Sequence, residues 1–451
     1  MKKIIVLDIP GLVRSNIDKI KTKNISKIIE NNNSVIIPTF PAVTCSAQSS
    51  ILTGTYPSEH GIIANGYYDK IYKEIHFWDQ PSRLVKQPQI WDVLKDKNSK
   101  IKTAVLFWQN TLFAKSDIVI TPKPLHLENN FVMWCYSKPQ NFYEEIIKEI
   151  GEFDLKWYWG PFASIESSKW IINAAKITIK NHSPDLLFTY IPHLDYAGQK
   201  YGPDSAEFEK SLSEVDELIG NLIDYFQLEK MEYEIIILSE YGFNQVDNSI
   251  SPNIILNENS LLQTRNIGGK EYIDFELSKA FAMCDHQIAH VFIKPGFEKT
   301  VTEIFEKQPI GEIFNKDKQK ELHIDNERSG DIILTSEKNS WFNYHWWTDE
   351  NNAPDFTFSV DIHRKPGFDP LELFFDMKTK NQVLLKQDEV LEDGFLPENY
   401  ESKRYYAPSR DGKQIPIIAN TCNFPPPDKD GISLLSFEQV ETLFHEFGHA
   451  L

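Results

Sequence analysis

The sequence predicts an α/β fold with a mostly parallel central sheet that helices cover on both faces. Short, continuously apolar runs alternate with longer helical patterns through the first half of the chain, as expected of strands buried on both faces. Three of these runs end in a carboxylate: Asp8, Asp195 and Glu240. Ligands of open α/β sheets collect at the carboxyl ends of strands, so we expect these three acids to converge there.

The predicted elements follow in order from the N-terminus. A buried strand ends at Asp8, Pro10 and Gly11 make the turn, and a helical stretch runs to about Asn31. The later elements are strands at 34–38, 102–108, 184–195 and 232–242 and helices at 167–181 and 205–226.

The alternation of strand and helix patterns stops near residue 376. We therefore predict one large domain at 1–375 and a polar, turn-rich linker-like segment at 376–415. A third segment, at 416–451, ends in a helix.

Composition limits the function classes. The chain has 451 residues, of which 41% are hydrophobic, so it can bury a sizeable core. It has 65 acidic against 47 basic residues and a net charge of −18, which argues against a nucleic-acid duplex as partner. The four cysteines are far apart, Asp8 interrupts the first apolar run, and no later stretch approaches a membrane span. We expect a cytoplasmic protein without membrane contact or a disulfide framework.

The stretch "TCSAQSSILTGTYPSEHGIIAN" carries the most chemical information. Thr44 follows an extended segment and opens a helical run that Gly54 closes. A hydroxyl group there lies at the positive end of a helix, where both an alkoxide and a phosphate are stabilised. The alternative is that Thr44 is simply a helix cap.

Together, the strand ending in Asp8, Thr44, "TGTYPSEHGII" and "HLDYAGQKYGP" resemble the alkaline phosphatase superfamily, in its nucleotide pyrophosphatase/phosphodiesterase branch. The resemblance spans about residues 1–375. It implies an alkaline phosphatase-like sandwich and a metal-dependent phosphodiesterase acting on a phosphate ester or nucleotide-like substrate. It also implies that Thr44 is the nucleophile and that Asn65 contacts the phosphate. Two divalent ions, of zinc, manganese or magnesium, would be held by ligands that include Asp8, Thr44, Asp195 and Glu240.

The chain departs from the family pattern at two ligand positions. Gln199 and Tyr241 stand where the family has histidines, and such a site favours harder metals that prefer oxygen ligands. His363 resembles the C-terminal histidine ligand by its order along the chain. His193 could replace a lost imidazole if it lies on a strand and shares the face of Asp195. Asp285 and His286 are candidates for supporting contacts or for ordinary hydrogen-bonded polar groups.

The tail carries a different motif. His445, Glu446 and His449 form H-E-x-x-H, and residues 416–451 resemble thimet-oligopeptidase-like zinc peptidases. Catalytic zinc uses three protein ligands, and the family's downstream glutamate has no counterpart here, so we expect an incomplete site. Residues 376–415 resemble the linker of prolyl oligopeptidases, but the chain lacks their G-x-S-x-G motif. The alternatives to a phosphodiesterase are a non-catalytic protein that binds a phospho-ligand or a partner, and a zinc metallopeptidase.

Overall fold

The computed structural model describes residues 3–18, 20–29, 36–127, 130–132, 134–160, 162–246 and 248–354, and two short strands beyond them. The chain divides into two compact units. The first comprises Met1–Lys123, Met133–Phe374 and Arg404–Pro408, and the second comprises Pro124–Val132, Phe375–Lys403 and Ser409–Leu451. The predicted segments 376–415 and 416–451 lie almost entirely outside the described residues.

The central sheet of the first unit has six strands in the order β10-β1-β9-β4-β5-β8. The first five of these strands run parallel, and β8 runs antiparallel to β5. This arrangement confirms the predicted mostly parallel sheet. The strands are β1 (Lys3–Asp8), β4 (Thr103–Leu106), β5 (Ile118–Pro122), β8 (Cys135–Lys138), β9 (Leu186–Tyr190) and β10 (Tyr233–Leu238).

The apolar runs behave differently at the centre and at the edge of this sheet. Strands β4, β5 and β9 are buried along their whole length, as continuously apolar strands should be. The edge strand β10 has a partner on one side, β1. It alternates between exposed and half-buried residues, and Ile236 is 46% exposed.

Helices flank this sheet, and the two long predicted ones form as expected: α6 (Ile165–His182) and α8 (Ala206–Leu228). The remaining helices are α1 (Lys23–Ile29), α2 (Thr44–Thr53), α3 (Pro57–His60), α4 (Ile90–Lys97), α5 (Phe142–Ile150), α7 (His193–Tyr201), α9 (Pro252–Glu258), α10 (Glu298–Phe305) and α11 (Lys316–Glu321). Single turns of 3-10 helix lie at Arg14–Asn16, Ser82–Leu84, Leu155–Trp157 and Glu350–Asn352.

Two early predictions are wrong in detail. The helical stretch after β1 is broken, because Asp18 Oδ1 accepts hydrogen bonds from the backbone N–H groups of Ile20 (2.6 Å) and Lys21 (2.9 Å). A side-chain bond of this kind competes with the helix. The described part of the predicted strand at 34–38 is not a strand. Ile37 is 93% exposed, and Pro38 has no N–H group to donate to a sheet.

The first unit also contains a second, antiparallel sheet, which was not predicted from the sequence. Its order is β14-β15-β17-β16, from β14 (Ala280–Asp285), β15 (Ile288–Ile293), β16 (Ile313–Phe314) and β17 (Ile332–Thr335). Its apolar cluster includes the buried Phe342, Tyr344, Trp346 and Trp347. These aromatic side chains are therefore core residues.

Five two-stranded pairs complete the described structure. Three are antiparallel hairpins: β2 (Gly66–Asp69) with β3 (Glu74–Phe77), β6 (Leu125–Leu127) with β7 (Asn130–Val132), and β12 (Thr264–Ile267) with β13 (Lys270–Ile273). Strand β11 (Asn248–Ile250) pairs in parallel with β18 (Ser340–Phe342), and β19 (Phe374–Phe375) pairs with β20 (Ser402–Lys403). Within the described part of the chain, no helix is long and apolar enough to cross a membrane.

Candidate active site

Thr44 is the first residue of helix α2, as predicted, but it is not the cap. The cap position is Val43, whose backbone is extended and whose side chain makes no capping bond, and Gly54 ends the helix in a left-handed conformation. The Thr44 hydroxyl lies 3.1 Å from the Tyr241 hydroxyl. The side chain is therefore positioned by a tertiary contact at the positive end of the helix dipole.

Asp8 and Glu240 are brought together by Gln48, one helical turn after Thr44. Gln48 Nε2 donates to Asp8 Oδ2 (3.1 Å) and to Glu240 Oε1 (2.6 Å). Gln48 Oε1 accepts from the backbone N–H of Gln109 (2.7 Å), so the amide group holds its N–H side towards the carboxyls. Asp8 ends β1, and Glu240 follows its neighbour β10 by two residues.

Burial dominates the electrostatics of this carboxyl pair. Asp8 is 0% exposed and Glu240 is 2% exposed. Desolvation raises the pKa of Asp8 to about 7, although its hydrogen bonds with Glu240 and Gln48 oppose the rise. Desolvation, reinforced by the charge of Asp8, holds the pKa of Glu240 well above its usual range. Burial therefore raises the pKa of both carboxyls, so that the pair favours holding a proton.

Asp195 is linked to Thr44 through Tyr241 and is held by two donors. Tyr241 donates its hydroxyl hydrogen to Asp195 Oδ1 (2.8 Å), and Gln199 Nε2 donates to Asp195 Oδ2 (2.7 Å). Since the single Tyr241 hydrogen faces Asp195, the Thr44 hydroxyl donates to the Tyr241 oxygen. Burial and the nearby charge of Asp195 raise the pKa of Tyr241 well above its ordinary value.

The placement of Asp195 corrects the sequence analysis. The strand ends at Tyr190, and Asp195 lies in the first turn of α7 instead of on a strand. Pro192 is the cap residue of that helix, with φ −82°. Because it has no N–H group, it cannot continue the ladder of β9.

His193 does not share the face of Asp195. Residues two apart point in nearly opposite directions on a helix, and His193 Nε2 lies 2.7 Å from Glu214 Oε2 on α8. The premise that His193 lies on a strand and shares the face of Asp195 is therefore wrong.

Asn65 is fixed at the start of helix α2 from two directions. Its Oδ1 accepts from the backbone N–H of Cys45 (2.9 Å). Its own N–H and Nδ2 donate to Asp285 Oδ2 (2.7 Å) and Oδ1 (3.1 Å). His286 Nδ1 lies 2.7 Å from Asp285 Oδ1. Both oxygens of Asp285 thus serve these contacts, and Asp285 and His286 make supporting contacts around Asn65.

Comparison with known protein families identifies the family of this chain. Residues 4–369 match the model of the type I phosphodiesterase / nucleotide pyrophosphatase family. The chain belongs to this family.

Relatives of this phosphodiesterase-family chain are distant. An uncharacterised pyrophosphatase/phosphodiesterase of Schizosaccharomyces pombe is 27% identical over 248 residues, which are 53% of this chain and 44% of that protein. Ectonucleotide pyrophosphatase/phosphodiesterase 1 of Saccharomyces cerevisiae is 25% identical over 50% of this chain and 30% of its own length. The chain thus spans less than half the length of either relative.

Solved structures support the fold. Murine ectonucleotide pyrophosphatase/phosphodiesterase 5 superposes with a TM-score of 0.52 and 18% identity, over 77% of this chain and 82% of that one. Phosphonoacetate hydrolase of Sinorhizobium meliloti, in complex with phosphonoacetate, superposes with a TM-score of 0.53 and 16% identity, over 76% of this chain and 83% of that one. A separate match, to peptidase family M3, covers residues 392–451.

Several predicted residues of this family member fall outside the described residues: His363, His445, Glu446 and His449. Within the described ranges, no group of three or more His, Cys, Asp and Glu side chains could hold a metal ion. The ligand chemistry that the structure describes is therefore that of carboxylate pairs, hydroxyls and amides.

The sequence did not predict the side-chain amide groups that form hydrogen bonds around Asp8 and Glu240. Gln109 Oε1 accepts from Gln80 Nε2 (2.6 Å), and Gln80 Oε1 accepts from the backbone N–H of Asn110 (2.9 Å). These bonds extend the network that begins at Gln48. One signal was available, because Gln48 is four residues after Thr44 and therefore on the same face of the helix.

Proposed function

We propose that this chain hydrolyses phosphodiester or pyrophosphate bonds, with Thr44 as the nucleophile. The observation that supports this most directly is the set of contacts around the start of α2. Tyr241 and Asp195 lie on one side of the Thr44 hydroxyl, and Asn65 is bonded to the N–H of the next residue. A nucleophile, a route for its proton and an anion-binding helix end are the parts that phosphoryl transfer needs.

The first step follows from the direction of the hydrogen bonds. Thr44 Oγ1 bonds to phosphorus while the bond from phosphorus to the leaving oxygen breaks, and that oxygen keeps the electron pair. The Thr44 hydrogen passes to the Tyr241 oxygen as the Tyr241 hydrogen passes to Asp195 Oδ1. The proton thus comes to rest on a carboxylate without leaving the site.

The second step reverses this route. Water bonds to phosphorus, the bond from phosphorus to Thr44 Oγ1 breaks, and the proton returns from Asp195 through Tyr241 to Oγ1. The remaining water proton is released and neutralises the departed leaving group. Asn65 Nδ2 has two hydrogens, and one faces Asp285. The second would donate to a phosphoryl oxygen as its charge grows, which is worth about 10²-fold in rate.

A divalent cation fits one part of the site. Asp8 Oδ1 and Glu240 Oε2 are buried and meet no hydrogen-bond donor among the described residues when both carboxyls are ionised, and a cation would satisfy this charge. Asp8, Glu240 and Thr44 would hold it. When bound, it supplies positive charge next to the transferred phosphoryl group.

The proposed substrate is a small phosphorylated molecule. A solved structure of an inactive Thr-to-Ala variant of the murine relative is a complex with AMP, and that of the S. meliloti relative is a complex with phosphonoacetate. A cytoplasmic location stays part of the proposal, supported by the buried thiols of Cys45 and Cys135.

Hydrolysis of bis(4-nitrophenyl) phosphate tests the proposal. Thr44→Ala should lower kcat by about 10³-fold or more, because the covalent route is lost. Thr44→Ser is the matched control, since it keeps a hydroxyl group at the same atom position and should retain measurable turnover. Unchanged turnover in Thr44→Ala, with the folded state verified by circular dichroism, would exclude Thr44 as the nucleophile.

A further inference from the structure

The pair Asp8 and Glu240 differs from Asp195 in the groups that balance the negative charge. Asp8 and Glu240 each have one oxygen held by Gln48, and the other oxygen meets no donor in the described part of the chain. The two carboxyl groups lie close enough to share a hydrogen bond when one of them is protonated. The two oxygens that meet no donor belong to side chains that are at most 2% exposed. Buried negative charge of this kind calls for a cation or a proton.

The fixed orientation of Gln48 makes this arrangement stable. Its Oε1 accepts from the backbone N–H of Gln109. If the side-chain amide of Gln48 were flipped, its NH₂ group would face the Gln109 N–H donor and its oxygen would face the two carboxylates. Gln48 therefore stays a donor and is not a metal ligand. It leaves one oxygen of each carboxyl, Asp8 Oδ1 and Glu240 Oε2, for a single ion.

Asp195 is in the opposite situation. Its Oδ1 accepts from Tyr241 and its Oδ2 accepts from Gln199. The Tyr241 hydroxyl also lies 3.1 Å from Thr44 Oγ1, so it occupies the space between Thr44 and Asp195. Hydrogen-bond donors that point at a carboxylate stabilise its charge as a cation would.

We propose that this chain binds one divalent cation, at Asp8 and Glu240, and that Tyr241 and Gln199 take the place of the second ion that the family resemblance implies. The inference rests on the proposed function for the role of the site, but it concerns metal stoichiometry. The donors on offer are carboxylate and hydroxyl oxygens, so the ion is of the magnesium or manganese class.

Metal stoichiometry tests the inference without measuring turnover. The metal-stripped full chain is titrated with Mn²⁺, and bound ion is measured by electron paramagnetic resonance. All variants carry His445→Ala and His449→Ala, so that the H-E-x-x-H motif contributes no ion. The chain with no further substitution should bind about one equivalent, against two in a two-metal site.

Two isosteric variants locate the ion. Asp8→Asn should weaken Mn²⁺ binding by at least about 10²-fold, more than the loss of an outer hydrogen-bond partner costs. Asp195→Asn removes the same charge from another buried position and should still bind about one equivalent, with a smaller loss of affinity than Asp8→Asn. Equal loss of binding in both variants would overturn the assignment, as would two equivalents or none before substitution.

A gain of function provides the complementary test. Tyr241→His with Gln199→His removes both donors and offers two imidazoles to an ion at Asp195, so bound Mn²⁺ should rise to about two equivalents. Tyr241→Phe removes the hydroxyl without adding a ligand and should stay at about one. If the double variant does not fold, the comparison of Asp8→Asn with Asp195→Asn still decides. Turnover by Thr44→Ala would refute the nucleophile, whereas the stoichiometry is measured in chains that keep Thr44 and is decided separately.

Discussion

Acid should destabilise this protein through His290, which is buried between the second sheet and the segment before Asn65. His290 is 0% exposed. Its Nε2 donates to the Ile63 carbonyl (3.3 Å), and its Nδ1 accepts from the backbone N–H of Gly330 (3.2 Å). Both contacts require the neutral ring, because a proton on Nδ1 would face another donor.

The magnitude follows from the change of pKa on folding. Desolvation lowers the pKa of His290 from 6.5 to about 4, which outweighs the opposing effects of the Ile63 carbonyl and Asp285. Above pH 6.5 the ring is neutral in the folded and unfolded states, so stability is unaffected. Below it the unfolded state binds the proton first, and stability falls until the folded pKa is reached. The loss is about 2 kcal/mol at pH 5 and about 3 kcal/mol below pH 4.

Urea unfolding at pH 7.5, 6 and 5 measures this loss. His290→Gln is the comparison, because it cannot titrate there. The difference in free energy of unfolding between wild type and variant should shrink by about 2 kcal/mol between pH 7.5 and pH 5. Differences that stay constant across this range would refute the reasoning. His60, whose pKa burial also lowers to about 4, should behave alike, since its Nδ1 accepts from the Ile62 N–H and its Nε2 contacts Ser50.

Two further variants test the supports of the site. Asp285→Asn should lower kcat by about 10-fold or more, because an amide cannot accept both bonds from Asn65. Asp216→Asn is its control: Asp216 is also buried and binds the backbone of Asn24 and Ile25, so it should lose stability but not turnover. A similar fall in kcat in both would refute the bracing role. Gln48→Ala should lower the free energy of unfolding, measured in the presence of a chelator, by about 3 kcal/mol. The substitution removes the donor to the buried carboxyls of Asp8 and Glu240 and the acceptor of the Gln109 N–H. A midpoint of urea unfolding equal to wild type would contradict it.

The sequence alone identified features that short segments decide. A continuously apolar run is enough to predict a buried strand, so Asp8 was placed correctly at the end of β1. The start of α2 at Thr44 and its end at Gly54 follow from local backbone preferences. The family resemblance over about residues 1–375 agrees with the family match at 4–369. The H-E-x-x-H segment agrees in the same way with the peptidase match at 392–451.

Only the tertiary structure decided how the site is held together. The bond from Gln48 to Glu240 joins residues 192 positions apart, and that from Asn65 to Asp285 joins residues 220 apart. Such pairings depend on the order of strands β10, β1 and β9 and on the second sheet, which no local pattern encodes. The same holds for Tyr241. In the sequence it is a tyrosine at a position where the family resemblance implies a histidine, whereas in the fold its hydroxyl group bridges Thr44 and Asp195. Local sequence sets which element forms, whereas the packing of distant elements sets which side chains meet.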